Sequence, residues 1–129
     1  MNEIFISIFE RLQSELNVSV FDHVPQDYDA YPFVKMETLE DGQNDTDTEN
    51  GFNSTIQIHT WSEYRGSKEI NLLQQDIYNA LHQWQMPNTA NYGISGGIRQ
   101  TLKTSITNSD GIRRQGVQRF QLFYEPLPS

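Results

Sequence analysis

The sequence predicts an α+β fold: a single domain in which an antiparallel β-sheet packs against two α-helices. Three observations carry this reading. Two segments, 2–16 and the one after Gly66, space their apolar residues as one face of a helix does. Several others alternate apolar and polar residues as half-buried strands do. The 129 residues contain no internal repeat and no interdomain linker, so one domain spans 1–129.

In the first helix Ile4, Phe5, Ile8, Phe9, Leu12 and Leu16 fall on one side, and Glu10, Arg11, Gln13, Ser14 and Glu15 on the other. Asn17 ends it. A short extended piece follows at Val18–Phe21, and Pro25 and Pro32 then exclude a regular helix. "FVKMETLE" reads as a strand with Val34 and Met36 on one face. Residues 40–51, "EDGQNDTDTENG", hold no apolar side chain, which predicts a long, mobile, acidic loop. "FNSTIQIHTW" is a strand with Phe52, Ser54, Ile56, Ile58 and Thr60 on one face and Asn53, Thr55, Gln57, His59 and Trp61 on the other. The second helix has Ser67 at its N-cap and buries Ile70, Leu73, Ile77, Leu81 and Trp84, with Pro87 preventing its continuation. A hairpin closes the chain. Ile98, Leu102 and Ile106 alternate with polar residues on its first strand, Asp110-Gly111 forms the turn, and Phe120, Leu122 and Tyr124 share a face on the return.

Composition excludes several chemistries. The chain has no cysteine, which removes disulfides, zinc–thiolate sites and thiol catalysis. No apolar run approaches the ~20 residues that span a bilayer. "MNEIFISIFERL" carries Glu3 and Glu10 and lacks the basic start of a signal peptide, so a soluble cytoplasmic protein is expected. Asp45, Asp47 and Glu49 open like a calcium loop. Counting from Asp45, however, positions six and twelve are Asn50 and Ile56, where Gly and Glu are needed, and a solvated loop accounts for the stretch better. "GISGG", Gly93–Gly97, fits G-x-S-x-G, but a strand rather than a helix follows Ser95, so a glycine turn into the hairpin is the expected structure. His23, His59 and His82 sit on different elements without metal-ligand spacing. No carboxylate pair can be assigned an acid and a base. No catalytic residue, cofactor or metal site is expected.

The formal net charge of -8 opposes binding to naked nucleic acid. The charge is also segregated: twelve of seventeen acidic residues precede Asn50, and seven of nine basic residues lie from Arg65 onward. Clustering by chance accounts for such polarity, and so does an acidic face of one copy meeting a basic face of another.

"DHVPQD", "YPFVKM", "IQIHTWSEYRGSKEI…IYNALH" and "DGIRRQGVQRFQL" together resemble a family of small proteins of long-tailed bacteriophages and prophages, the tail completion or tail terminator (tail-to-head joining) proteins. The resemblance runs from about Val20 to Phe123. Its most specific pieces are Trp61-Ser62 with Gly66, Lys68 and Glu69, and the hairpin Asp110–Phe120. The stretch 40–51 departs from it in being longer and more polar. The resemblance implies a structural virion protein that works as a homo-oligomeric, hexameric ring. Such a ring caps the head-proximal end of the tail tube, stops tube polymerisation and joins tail to head, after assembly in the host cytoplasm. It implies the major tail tube protein and a head–tail connector protein as partners, genomic DNA passing through the ring, no sequence-specific nucleic acid and no membrane. Beside that implied ring, the charge segregation makes Arg113 and Arg114 candidate interface residues, with Asp45, Asp47 and Glu49 as acidic counterparts. Two other classes compete. One is a binding module using a basic patch of Arg99, Lys103, Arg113, Arg114 and Arg119, and the other is a serine hydrolase using Ser95.

Overall fold

The computed structural model describes residues 2–38, 46–48, 51–63, 66–107 and 112–128. Helix α1 covers Asn2–Glu15. Strands β1 (Ser19–Phe21), β2 (Phe33–Thr38), β3 (Thr46–Thr48) and β4 (Gly51–Ser62) follow, then helix α2 (Lys68–Leu81) and strands β5 (Tyr92–Thr107) and β6 (Arg114–Pro126). One six-stranded sheet runs in the order β1-β2-β4-β6-β5, with β3 also on β4. Along one edge of β4, β2 takes residues 56–61 and β3 takes 51–53, while β6 pairs the whole opposite edge from Phe52 to Ser62.

The sheet is mixed, which corrects the antiparallel expectation. β1 pairs β2 in parallel, Ser19 opposite Phe33 and Phe21 opposite Lys35. Residues 22–32 carry the chain back to the same end of the sheet before β2 begins. Every other pairing is antiparallel. The sheet curls into a half-barrel, and both helices share its core.

The core follows from the two periodicities. From α1 come Ile4, Ile8, Leu12 and Leu16, and from α2 Leu73, Ile77, Ala80 and Leu81. The sheet supplies Val34 and Met36 from β2, Ile56 and Ile58 from β4, and Phe120, Leu122 and Tyr124 from β6. These strand residues lie two apart, as alternation requires. Ile70 is also buried, on the face of α2 that the spacing predicts.

Three further expectations are corrected. The acidic stretch 40–51 contains β3, because Thr46 and Thr48 bring a short β-capable segment against residues 51–53; its remaining positions up to Asn50 lie outside the described residues. Trp84 is not on α2, which ends at Leu81 with His82 as its C-cap. It packs half-buried against the core from the following segment, with the Arg11 guanidinium 4.9 Å from its ring centroid. Gly93–Gly97 is not a turn: it lies within β5, with Gly93 to Ser95 paired to residues 123–125 of β6. The register shifts between Ser95 and Arg99, and again between Gln100 and Leu102. A one-residue shift exchanges the faces of a strand. Ile98 is therefore buried, whereas Leu102 and Ile106 emerge on the opposite face at 37% and 60% exposure. The predicted turn at Asp110-Gly111 lies outside the described residues.

Candidate assembly surface

The sheet has an inner face, packed on the helices, and an outer face without helices. On the outer face lie Phe33, Lys35 and Glu37 of β2, Gln57, His59 and Trp61 of β4, and Gln115 and Arg119 of β6. Trp61 stacks on Phe33 at 5.0 Å and on His59 at 5.6 Å between ring centroids. His59 meets Glu37 Oε1 through Nε2 at 2.6 Å, and Gln115 Nε2 lies 3.4 Å from its Nδ1. Gln57 donates to Glu37 at 3.0 Å and accepts from Arg119 Nε at 2.8 Å. Burial pushes the Glu37 carboxyl pKa up. The hydrogen bonds from His59 and Gln57 and the nearby charges of His59 and Lys35 outweigh it, leaving the carboxyl below its ordinary value. The result is a cross-linked polar ladder that holds three strands in register.

The Trp61-Ser62 motif divides its work between the two faces. Trp61 turns outward onto the aromatic stack. Ser62 turns inward, is buried, and donates to Glu69 Oε1 at 2.7 Å, clamping the end of β4 to the first turn of α2. Gly66, at φ +96°, supplies the left-handed conformation before the helix. Ser67 stands at the N-cap position but makes no side-chain cap hydrogen bond. The end of β4 and the first turn of α2 are thus tied to each other.

At Gly116 a side chain of α2 lies tightly against the sheet. A Cβ there would collide with Gln74 Nε2 and Thr60 Oγ1, both buried. Around it runs a glutamine network. Gln74 Nε2 donates to the Thr104 carbonyl at 3.0 Å, and Gln118 Nε2 donates to the Gln74 carbonyl at 3.0 Å and to Gln100 Oε1 at 2.8 Å. Sequence reading missed this network because Gln on a helix ordinarily signals a solvated face. The signal that was present is Gln74, adjacent to Leu73 and three residues before Ile77, within the apolar stripe.

The charged candidates fall as follows. Arg113 is exposed, with its guanidinium 5.8 Å from the centroid of the Tyr31 ring. Arg114 opens β6 opposite Ser62 and Thr107 and is half-buried. Asp47 lies on β3 opposite Phe52; Asp45 and Glu49 lie outside the described residues. Phe52 and Ser62 are ten residues apart on β4, roughly 33 Å at strand rise. Asp47 and Arg114 are therefore at opposite ends of the sheet within one chain. The proposed basic patch is also divided. Arg99 and Arg119 share the outer face through their pairings with Gln121 and Leu102, but Lys103 pairs with Gln118 and belongs to the inner face.

Ser95 is paired with Phe123 in mid-strand rather than placed at a strand-to-helix elbow. The described residues contain no group of three His, Cys, Asp or Glu side chains able to hold a metal, and no described helix is long and apolar enough to cross a membrane.

Two solved structures share the fold. A chain from the virion of a native gene transfer agent particle superposes with a TM-score of 0.76 at 12% identity, covering 96% of both chains. The gp17 protein of bacteriophage SPP1 superposes with a TM-score of 0.62 at 20% identity, covering 95% of this chain and 88% of that one. No curated protein sequence matches. The family model for tail completion protein gp17 matches residues 10–125. That span takes in both the Trp61–Glu69 corner and the β5–β6 hairpin, and the chain belongs to the tail completion protein gp17 family.

Proposed function

We propose that the protein forms a homo-oligomeric ring, a hexamer, that caps the head-proximal end of the tail tube, ends its polymerisation and joins it to the head. Membership of the family makes the chain a structural protein of the phage tail, located in the virion. The carrying observation is the match to the tail completion family over residues 10–125. The structural role of that family speaks against an enzyme. The architecture fits the proposed task, since a ring protomer needs rigid faces. The Ser62–Glu69 clamp, the outer polar ladder and the buried glutamine network all serve rigidity. On this reading the partners are other copies of the chain, the major tail tube protein on one side and the head–tail connector on the other, with genomic DNA passing through the centre.

Negative-stain imaging of the purified chain and of completed tails, with mass measured in solution, tests the proposal. Rings with the mass of six 15.0 kDa chains are expected. A protein that remains strictly monomeric on completed tails would overturn it.

A further inference from the structure

The two edges of the sheet carry unlike apolar features. At the β5 edge, Leu102 and Ile106 stand out of the outer face at 37% and 60% exposure, on a strand whose residues 101–107 are all exposed. Every charged side chain of β5 and β6 is cationic except Glu125, which lies at the far end of β6. No described strand pairs the second edge of β5, although an exposed strand of this length is a ready contact site. At the other edge, where β1 and β2 begin, an open cleft of about 290 Å³ lies between α2 and the N-terminal part of the sheet. Val18, Pro32, Leu72 and Leu73 form its apolar wall, Leu72 being 56% exposed, and Lys68, Glu69 and Asp76 are its charged residues.

We infer that the aliphatic ridge of one copy, Leu102 and Ile106, seats in the Leu72 cleft of the next. The occupant is a second copy of this chain, for two reasons. First, the surfaces complement each other: a protruding apolar pair on two strands whose charges are mostly cationic meets an apolar recess in which the carboxylates Glu69 and Asp76 outnumber the single cation Lys68. Second, the strand order β1-β2-β4-β6-β5 puts the ridge on one edge strand, whereas the cleft opens beside the start of the other edge strand. A contact between two different surfaces at opposite edges is heterologous, and it propagates from copy to copy until a ring closes. The inference rests on the ring reading above and names the junction within it.

The chain's lack of cysteine permits a direct test. In a full-length chain carrying both Leu72→Cys and Ile106→Cys, mild oxidation at an assembling concentration should give a ladder of disulfide-linked multimers. Chains with either cysteine alone should give nothing beyond a dimer. In parallel, Leu72→Asp and Ile106→Asp should each raise the concentration at half-assembly about tenfold or more, since a charge would enter an apolar contact. An equal mixture of the two should recover dimers but no rings, because each variant keeps one intact surface. If the aspartate variants misfold by circular dichroism, the cysteine ladder alone decides. A wild type that forms rings, with no ladder from the double-cysteine chain, overturns the junction and leaves the ring standing. A wild type that stays monomeric both alone and on tails overturns both.

Discussion

Glu37 and Glu3 are two carboxylates whose neighbours favour the charged form. Glu37 sits in the outer-face ladder. Glu3, in the first turn of α1, accepts from the Thr89 hydroxyl, from the Asn91 backbone N–H at 2.7 Å and from Asn91 Nδ2 at 3.0 Å. These hydrogen bonds, Thr89 first, hold its carboxyl below the ordinary 4.5. A carboxylate with a lowered folded pKa contributes stability that is present above its unfolded value and lost as pH falls through the folded one. Both groups therefore act above about pH 4.5, and the loss occurs below it. Glu3→Gln should be less stable than wild type in urea at pH 7, and the gap should shrink as pH falls below about 4.5. A gap that stays constant down to pH 3 would mean that Glu3 contributes only packing. Gly116 supplies a second prediction at this scale. The Cβ of Gly116→Ala would enter space held by Gln74 and Thr60, and overpacking of this kind costs about 1–3 kcal/mol. Chemical denaturation measures it; an unchanged midpoint would show that α2 can lift from the sheet freely.

Helix α2 separates core from surface within two adjacent residues. Leu73 is 6% exposed and Ile77 fully buried, while Leu72 is 56% exposed. Leu73→Ala and Ile77→Ala should each cost roughly 2–5 kcal/mol, and Leu72→Ala within about 0.5 kcal/mol of zero, by urea unfolding. Near-zero losses at Leu73 and Ile77 would remove this face from the core. The same periodicity made α1, α2 and the inner face of β4 legible in the sequence, because a one-sided apolar stripe is a property of the residues themselves. Elements defined by what they pair with were hidden. β1 has three residues, too few to show whether its partner runs parallel. The start of β5 is Gly- and Ser-rich, which disfavours a strand in isolation, and only pairing with β6 makes it one. The bulge at Gln100–Leu102 turned an apparent apolar face into an exposed ridge. At the candidate surface the sequence revealed the charge segregation but not its geometry. That Lys103 faces away from Arg99, or that Gln74 is buried, follows from register and packing.

At the scale of the whole molecule, the proposed ring gives charge and apolar contact different parts. Most acidic residues precede Asn50 and most basic ones follow Arg65, and β4 keeps Asp47 far from Arg114, so this pair cannot meet within one chain. An exposed charge pair between copies of the proposed ring would contribute only ~0–1 kcal/mol. Most of the affinity must then come from apolar burial, for which Leu102, Ile106 and the Leu72 cleft are the proposed surfaces. Charge sets approach and register. Arg113 is the better probe of this role, because it is exposed whereas Arg114 is half-buried in β6. Reversal by Arg113→Glu should leave the circular dichroism spectrum unchanged. At low salt it should slow assembly and raise the half-assembly concentration a few-fold. At about 1 M salt, where the screening length falls to roughly 3 Å, it should converge on wild type. Light scattering across a salt series reads both effects. Assembly equal to wild type at low salt would remove Arg113 from the interface, whereas a defect that persists at high salt would point instead to its contact with the Tyr31 ring.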